Sequence, residues 1–430
     1  MSTELTVIIG AAGTGKTHEI LSIIDDLQKQ NKCYEIVAFT NRAVQVLQRR
    51  GLEKATTIHK TLYSAQKTGK YVEVKKAILD PATRLPQRDA NGEIVYGIIQ
   101  EPEWAFMFRP PADPNTTLIV DEASLVPSAI WGDIFDQWPG PVIVVGDQNQ
   151  LPPVDLDLER QDKRYLNFFL EAARTPDRDL GGNHNNRRVS AGNSVLPAVY
   201  QHIYSPGNGA GQFPRQGQGD YEFVANIQSS ADMAQYIDVL AAASIVVAWQ
   251  NTEVAYLNEL IRRHQAQRQS VPYTPYPRRG DRIIAEQHYS KTETYTYTQR
   301  DPQTGQLVDI TNEKHTPLIT RGEEYVIERV DRPDSKNCVI WVLISGIPEA
   351  VPLNTAFIDG GHSPREIGAI RWCYAAAITC HKAQGSGWPQ VIVVDSYEFP
   401  RDSQRWRYTA ATRASEQLLV MRCKSGWWKR

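Results

Sequence analysis

Eight residues, Gly10-Ala11-Ala12-Gly13-Thr14-Gly15-Lys16-Thr17, constrain this chain more than any others. They fit G-x-x-x-x-G-K-[ST], the P-loop pattern. An apolar run, Leu5-Thr6-Val7-Ile8-Ile9, leads into them, and a helix-compatible stretch, His18 to Gln30, follows. A strand, a glycine-rich turn and a helix N-terminus in that order make a phosphate cradle. The glycines let the backbone close on phosphate oxygens, and the exposed N–H groups supply partial positive charge. Lys16 is placed to reach the outer phosphates and Thr17 to ligate Mg²⁺.

The bulk numbers narrow the setting. A chain of 430 residues holds roughly two to four domains. Its 41% apolar content is enough for cores, and no apolar run approaches a membrane span. The N-terminus shows no signal-peptide pattern, so a soluble cytoplasmic protein without a membrane partner is expected. The formal net charge is −2. A nucleic-acid site must then be a local groove and not a basic coat. The five cysteines (Cys33, Cys338, Cys373, Cys380, Cys423) form no C-x-x-C pair, which favours buried or incidental thiols over a zinc site.

An α/β alternation runs through residues 1–62 and resumes over 111–174. Between them, 63–110 is polar and turn-rich with short β-prone pieces, which reads as an insertion. A second α/β region covers 175–272 and 368–430, interrupted by a Pro-, Thr- and Tyr-rich β segment over 273–367.

A second nucleotide signal is Leu118-Ile119-Val120-Asp121-Glu122-Ala123-Ser124, an apolar strand ending in two acids. In this Walker B arrangement Asp121 would hold Mg²⁺ and Glu122 would polarise the attacking water; read without the P-loop, the pair is two solvated acids at a strand end. A third is Val144-Val145-Gly146-Asp147-Gln148-Asn149-Gln150-Leu151-Pro152-Pro153-Val154, a buried strand releasing a polar loop at the sheet's carboxyl edge. There Gln150 can bond a γ-phosphate or its attacking water.

With these three strings the chain resembles a superfamily 1 helicase motor, in particular its RecD-like and Dda-like branch. Ala38-Phe39-Thr40-Asn41-Arg42-Ala43 and Thr56-Thr57-Ile58-His59 are similar to the motifs that contact the single strand in the first motor domain. The resemblance implies strand contacts by Thr40, Asn41, Thr57 and His59. Phe39 stands where the family often has Pro, and either stacks or fills space. Thr56 or Thr57 also suits a helix N-cap. Asn186-Arg187-Arg188 resembles the segment with a phosphate-binding arginine, Arg188 by spacing, with Arg187 the alternative. Val246 to Asn251, with Asn258 and Arg262, looks like the next strand and helix.

Thr379-Cys380-His381-Lys382-Ala383-Gln384-Gly385-Ser386 closely resembles the fifth motif. It implies that Thr379, His381 and Lys382 face the strand, and Gln384 and Gly385 the nucleotide. Tyr408-Thr409-Ala410-Ala411-Thr412-Arg413-Ala414 resembles the sixth, with Arg413 as arginine finger. The family's adenine-reading glutamine motif lies ahead of the P-loop, but only nine residues precede Gly10. Base selectivity is therefore not readable here.

Two aromatic groups need placing. Trp104, Phe106 and Phe108 alternate as one face of a strand. They form either a duplex-splitting pin, with Phe108 a nucleic-acid contact, or a small core for the insertion. Trp427-Trp428-Lys429-Arg430 reads as a packing anchor in preference to a nucleic-acid patch.

The expected fold is two RecA-like P-loop domains, the first with a small insertion and the second with an SH3-like one. The expected function is an ATP- and Mg²⁺-dependent monomeric motor on single-stranded DNA and duplex junctions, moving 5′-to-3′ by resemblance. An RNA-directed helicase and an ATP switch without unwinding are the rival readings.

Overall fold

The structure, a computed structural model, describes residues 4–78, 95–153, 162–181, 189, 195–204, 211–300, 307–334, 338–359, 369–398 and 402–429. It divides into two compact units. One comprises Met1–Lys70, Pro102–Tyr273 and Ala376–Arg430; the other comprises Tyr71–Glu101 and Thr274–Ala375.

The first unit holds two parallel sheets, here called lobes. In the first lobe the strands are β1 (Leu5–Ile9), β2 (Tyr34–Ala38), β3 (Thr56–Thr57), β6 (Thr117–Asp121), β7 (Val142–Gly146) and β8 (Arg178–Asp179). The intervening β4 (Tyr63–Ala77) and β5 (Tyr96–Phe108) form a separate two-stranded sheet. The lobe's order is β3-β2-β6-β7-β1-β8, and every pairing is parallel.

Strand alternation explains why both faces are covered. Val7 and Ile9 of β1 pack with Trp131 and Ile134. Ile8, between them, packs with Ile20 and Ile24. Those partners lie on α1 (Lys16–Lys29) on one face and, beyond α2 (Asn41–Arg49) and α3 (Ile58–Leu62), on α4 (Ser128–Gln137) on the other. Each parallel strand thus ends its carboxyl edge in a loop held by two packed layers.

The second lobe has the strand order Ala377–Thr379, Ile245–Ala248, Trp388–Asp395, Ala414–Cys423, Tyr221–Ile227, again parallel. Its core includes Trp427, which is 1% exposed and donates its indole N–H to Glu253. Trp428 packs against the same core. The C-terminal tryptophans are therefore an anchor.

The other unit contains a five-stranded antiparallel sheet, in the order Val351–Asn354, Val339–Ile344, Glu324–Asp334, Arg282–Ala285, Trp372–Tyr374. Ile283, Ile327, Val342 and Leu353 fill its core. A long antiparallel ladder joins Tyr289–Arg300 to Leu307–Ile319.

The β4–β5 sheet places two of the alternating aromatics. Phe108 sits at its root, next to α3, and not at an exposed tip. It is partly buried against the first lobe's core and meets Tyr63 edge-on at 6.0 Å. Arg109 fixes the same root, its backbone N–H donating to Leu62 at 2.7 Å and its guanidinium to the Lys60 and Thr61 carbonyls. Alternation identifies a shared face but not which end of a hairpin meets the core. Phe106, two residues out, is 77% exposed. The Trp104 side chain lies outside the described residues. Among the described residues no helix is long and apolar enough to cross a membrane.

Candidate functional site

The P-loop leaves β1 at the carboxyl edge of the first lobe. Gly15 caps α1 with φ +102°, a left-handed value that L side chains rarely adopt. It supplies no side-chain cap, so the first N–H groups of α1 stay available to an anion. At Gly10 a Cβ would lie 2.5 Å from Thr14 Oγ1 and 3.1 Å from Leu180 Cβ, so a larger residue would have to displace one of them. Lys16 Nζ donates to the carbonyls of Gly10 (2.9 Å) and Ala11 (3.1 Å), folded over the loop it serves. Thr17 Oγ1 accepts from Arg50 Nη1 at 3.1 Å.

The acids stand on neighbouring strands. Asp121 ends β6 and is 7% exposed. Burial, with the charge of Glu122 beside it, pushes its pKa up to about 7 against the opposing pull of Lys16 and Arg50. Glu122 adopts φ +51° at the turn after the strand. Its Oε2 is buried without a hydrogen-bond partner. Asp147, just past β7, is wholly buried, and burial raises its pKa also. Gln150 donates weakly to it at 3.4 Å, while Gln150 Oε1 and Asn149 Oδ1 have no partner.

Orphaned buried acceptors are costly and rare. Three of them at one sheet edge fit a ligand that brings donors, such as the attacking water. The Asp121 carboxylate and the Thr17 hydroxyl are hard oxygen donors, and a buried carboxylate with a raised pKa gains from a cation. The set suits Mg²⁺.

The second lobe reaches this edge through the helix Ser403–Ala411. Tyr408 hydroxyl accepts from the Ala12 N–H at 3.1 Å and donates to Asp147 Oδ2 at 3.0 Å. Thr409 Oγ1 accepts from the Leu151 N–H at 2.9 Å. Gln384 Nε2 donates to the Leu151 carbonyl at 3.1 Å, so Gln384 meets the third motif's loop. Gly385, with φ +77°, lies against Thr40 and Ala43. Arg42 stacks over Trp388, 4.7 Å from the ring centroid.

Arg413 is 1% exposed. Its guanidinium donates to the carbonyls of Thr409 (2.9 Å) and Ser386 (3.1 Å) and to Thr412 Oγ1 (3.0 Å). These three bonds are with its own lobe. Arg187 and Arg188 lie outside the described residues.

The residues expected at the strand line the carboxyl edges of both lobes. Thr40, Thr57 and Thr379 each follow or end a strand and cap the next helix. Their hydroxyls accept from the N–H groups of Ala43 (3.2 Å), Lys60 (3.3 Å) and Lys382 (3.3 Å). Asn41 opens α2. His59 is exposed and forms a row with Phe39 and Tyr63, centroids 5.8 Å apart on either side. Phe39 is half-buried on the core, so it both fills space and faces His59. His381 and Lys382 are exposed.

Sequence reasoning missed two side chains at the nucleotide edge, Tyr408 and Arg50. Tyr408 was visible within the sixth motif, but nothing in its spacing pairs it with a residue 396 positions away. Arg50 carries no motif signal.

Two parallel sheets, a phosphate cradle on one and motif residues from the other meeting its edge, define a P-loop NTPase with two RecA-like lobes. The AAA domain family matches residues 1–155, and the UvrD-like helicase C-terminal domain matches residues 374–421. No curated protein matches the chain at a significant level. Solved structures that resemble it include the Pif1 helicase from Bacteroides in complex with ADP-AlF3 and single-stranded DNA. That pair shares 16% identity over 97% of this chain and 88% of the other, with a TM-score of 0.46. The Pif1 helicase from Candida albicans gives 13%, 97%, 90% and 0.41. The Arterivirus nonstructural protein 10 helicase gives 14%, 97%, 59% and 0.36. Motifs, sheets and both domain families agree: the chain carries the motor of a superfamily 1 helicase and is an ATP-dependent helicase by class.

Proposed function

We propose that this helicase is a monomeric motor that moves 5′-to-3′ along single-stranded DNA and opens duplex at junctions. The observation that carries the reading is the meeting of the P-loop, Asp147 and Tyr408, which ties the phosphate cradle of one lobe to the sixth motif of the other.

The chemistry follows from the residues. Lys16 exchanges the Gly10 and Ala11 carbonyls for phosphate oxygens, a charge-assisted bond stronger than either. Thr17 and Asp121 would hold Mg²⁺, which would supply neutralisation of the phosphate charge. Glu122 Oε2 takes the proton side of the attacking water, and Gln150 Oε1 helps to orient that water. Arg413 and Arg188 stabilise charge as the lobes close. Gln384 and Gly385 link this movement to the third motif and to Thr40.

Thr40, Asn41, Thr57 and His59 on one lobe, with Thr379, His381 and Lys382 on the other, supply two grips on the strand. The capped threonines present backbone and hydroxyl groups suited to phosphates, while His59 and Phe39 offer faces to a base. Alternate opening and closing advances the grips in turn. The antiparallel unit, SH3-like in this reading, steadies the strand.

Strand displacement on 5′-tailed and 3′-tailed duplexes with ATP tests activity and polarity together. Displacement of the 5′-tailed substrate alone is expected. Displacement from the 3′ tail would reverse the polarity, and stimulation of turnover by oligo-U but not oligo-dT would replace DNA with RNA.

A further inference from the structure

Tyr408 is completely buried, and its hydroxyl bonds both Ala12 and Asp147, which different parts of the fold place. A phenol has one proton to give. Here it goes to Asp147 Oδ2 at 3.0 Å, which leaves an oxygen lone pair for the Ala12 N–H at 3.1 Å. The ring cannot swing freely, because Tyr204 packs edge-on against it at 5.7 Å. Asp147 is fixed too, accepting from the Asn149 N–H at 3.0 Å and lying on the β7 edge.

Ala12 belongs to the phosphate cradle, whose function is to present backbone N–H groups to anionic oxygens. In this structure one of those N–H groups is spent on a neutral phenol from the opposite lobe. A phosphate oxygen is the stronger acceptor for the same N–H. Both cannot hold it at full strength.

We propose that Tyr408 is a positioning residue that competes with the nucleotide's phosphate for the Ala12 N–H and so reports phosphate occupancy to the second lobe. When phosphate takes Ala12, the hydroxyl keeps Asp147 and the helix Ser403–Ala411 loses one of its holds on the P-loop. Thr409, the next residue, remains bonded to Leu151, so the helix pivots about the third motif's loop and does not detach. Arg413 follows the same helix, and its bond to the Thr409 carbonyl couples it to that pivot. Phosphate binding thereby frees the segment that must rearrange before Arg413 can act. The inference rests on the ATP-motor reading and adds a residue to it.

Tyr408→Phe keeps the ring and its Tyr204 contact but removes the competitor. The test measures binding of a fluorescent, non-hydrolysable ATP analogue to the full chain, with steady-state ATP turnover alongside. Tyr221→Phe is the control for losing a buried hydroxyl, since Tyr221 bonds the Pro214 carbonyl within the second lobe. Tyr408→Phe is expected to bind the analogue about three- to tenfold more tightly, the worth of one net hydrogen bond. Its kcat should fall because closure is no longer signalled, while Tyr221→Phe changes neither value. Unchanged or weaker analogue binding by Tyr408→Phe overturns the proposal and leaves the motor reading standing. A wild-type chain that neither binds the analogue nor hydrolyses ATP overturns both.

Discussion

The two lobes share a parallel-sheet plan, but their buried carboxylates are treated in opposite ways. At the edge of the first lobe, Glu122 Oε2, Gln150 Oε1 and Asn149 Oδ1 are buried without a partner. In the second lobe, Glu253 is wholly buried and accepts from the Trp249 N–H, Ser396 Oγ and the Trp427 indole. Arg407, 2% exposed, is held by Asp395 and the carbonyls of Gly211 and Tyr397. Among the described residues the second lobe also has orphans near the facing edge, Ser386 Oγ within the fifth motif and the Trp406 indole N–H on the helix Ser403–Ala411. The difference separates two uses of the same chemistry. A satisfied buried charge frames the fold, whereas an unsatisfied one is held ready for a ligand.

Three substitutions press on that distinction. The largest effect is expected from Lys16→Ala, which should lower ATP hydrolysis by about 100- to 1000-fold, the scale of losing one preorganised charge-stabilising donor. Single-stranded DNA binding, read by fluorescence anisotropy, should persist because the strand residues lie elsewhere on the edge. Next come two glutamates compared directly. Glu122→Gln should abolish turnover yet leave the melting temperature unchanged or raised, since an orphaned carboxylate is removed. Glu253→Ala should do the reverse, costing about 3 kcal/mol by stranding its donors, with turnover per folded molecule retained. If both variants lose stability equally, the distinction between the lobes fails.

The aromatic insertion gives a smaller contrast. Phe108→Ala should destabilise the chain by about 2 kcal/mol, because that ring is seated on the core. Phe106→Ala should leave the melting temperature in place and reduce duplex unwinding more than ATP turnover, since the ring is 77% exposed. The smallest effect concerns pH. Burial raises the Glu253 pKa although four hydrogen-bond donors pull it down. The folded state then binds a proton more tightly than the unfolded chain, so this group's contribution falls as pH rises above the ordinary carboxylate range. Glu253→Gln does not titrate, and its deficit in melting temperature against wild type should narrow between pH 5 and about 7.5. A widening deficit would mean that the hydrogen bonds outweigh the burial.

Much of this site was legible because the chemistry is local in sequence. Gly10 to Thr17, Asp121-Glu122 and Gly146 to Pro153 each place their groups within one strand end, and alternation of apolar residues marks those strands. What stayed hidden depends on distant pairing. Nothing in the chain's periodicity brings Tyr408 to Ala12, or Gln384 to Leu151, because those contacts are set by how two lobes meet. Phe108 stayed between two readings for a related reason: a shared strand face does not reveal which residue stands next to α3. Thr40, Thr57 and Thr379 were singled out by motif resemblance, and their capping bonds show the local reason for threonine there.

The central claim is that nucleotide chemistry at the first lobe's edge is coupled to a strand lying across both lobes. Steady-state ATP turnover by the full chain, with and without oligo-dT, tests it most directly. The account predicts a marked rise in kcat on adding the oligonucleotide, and loss of that rise in Lys16→Ala. Turnover by the wild-type chain that stays flat across saturating oligo-dT would contradict it.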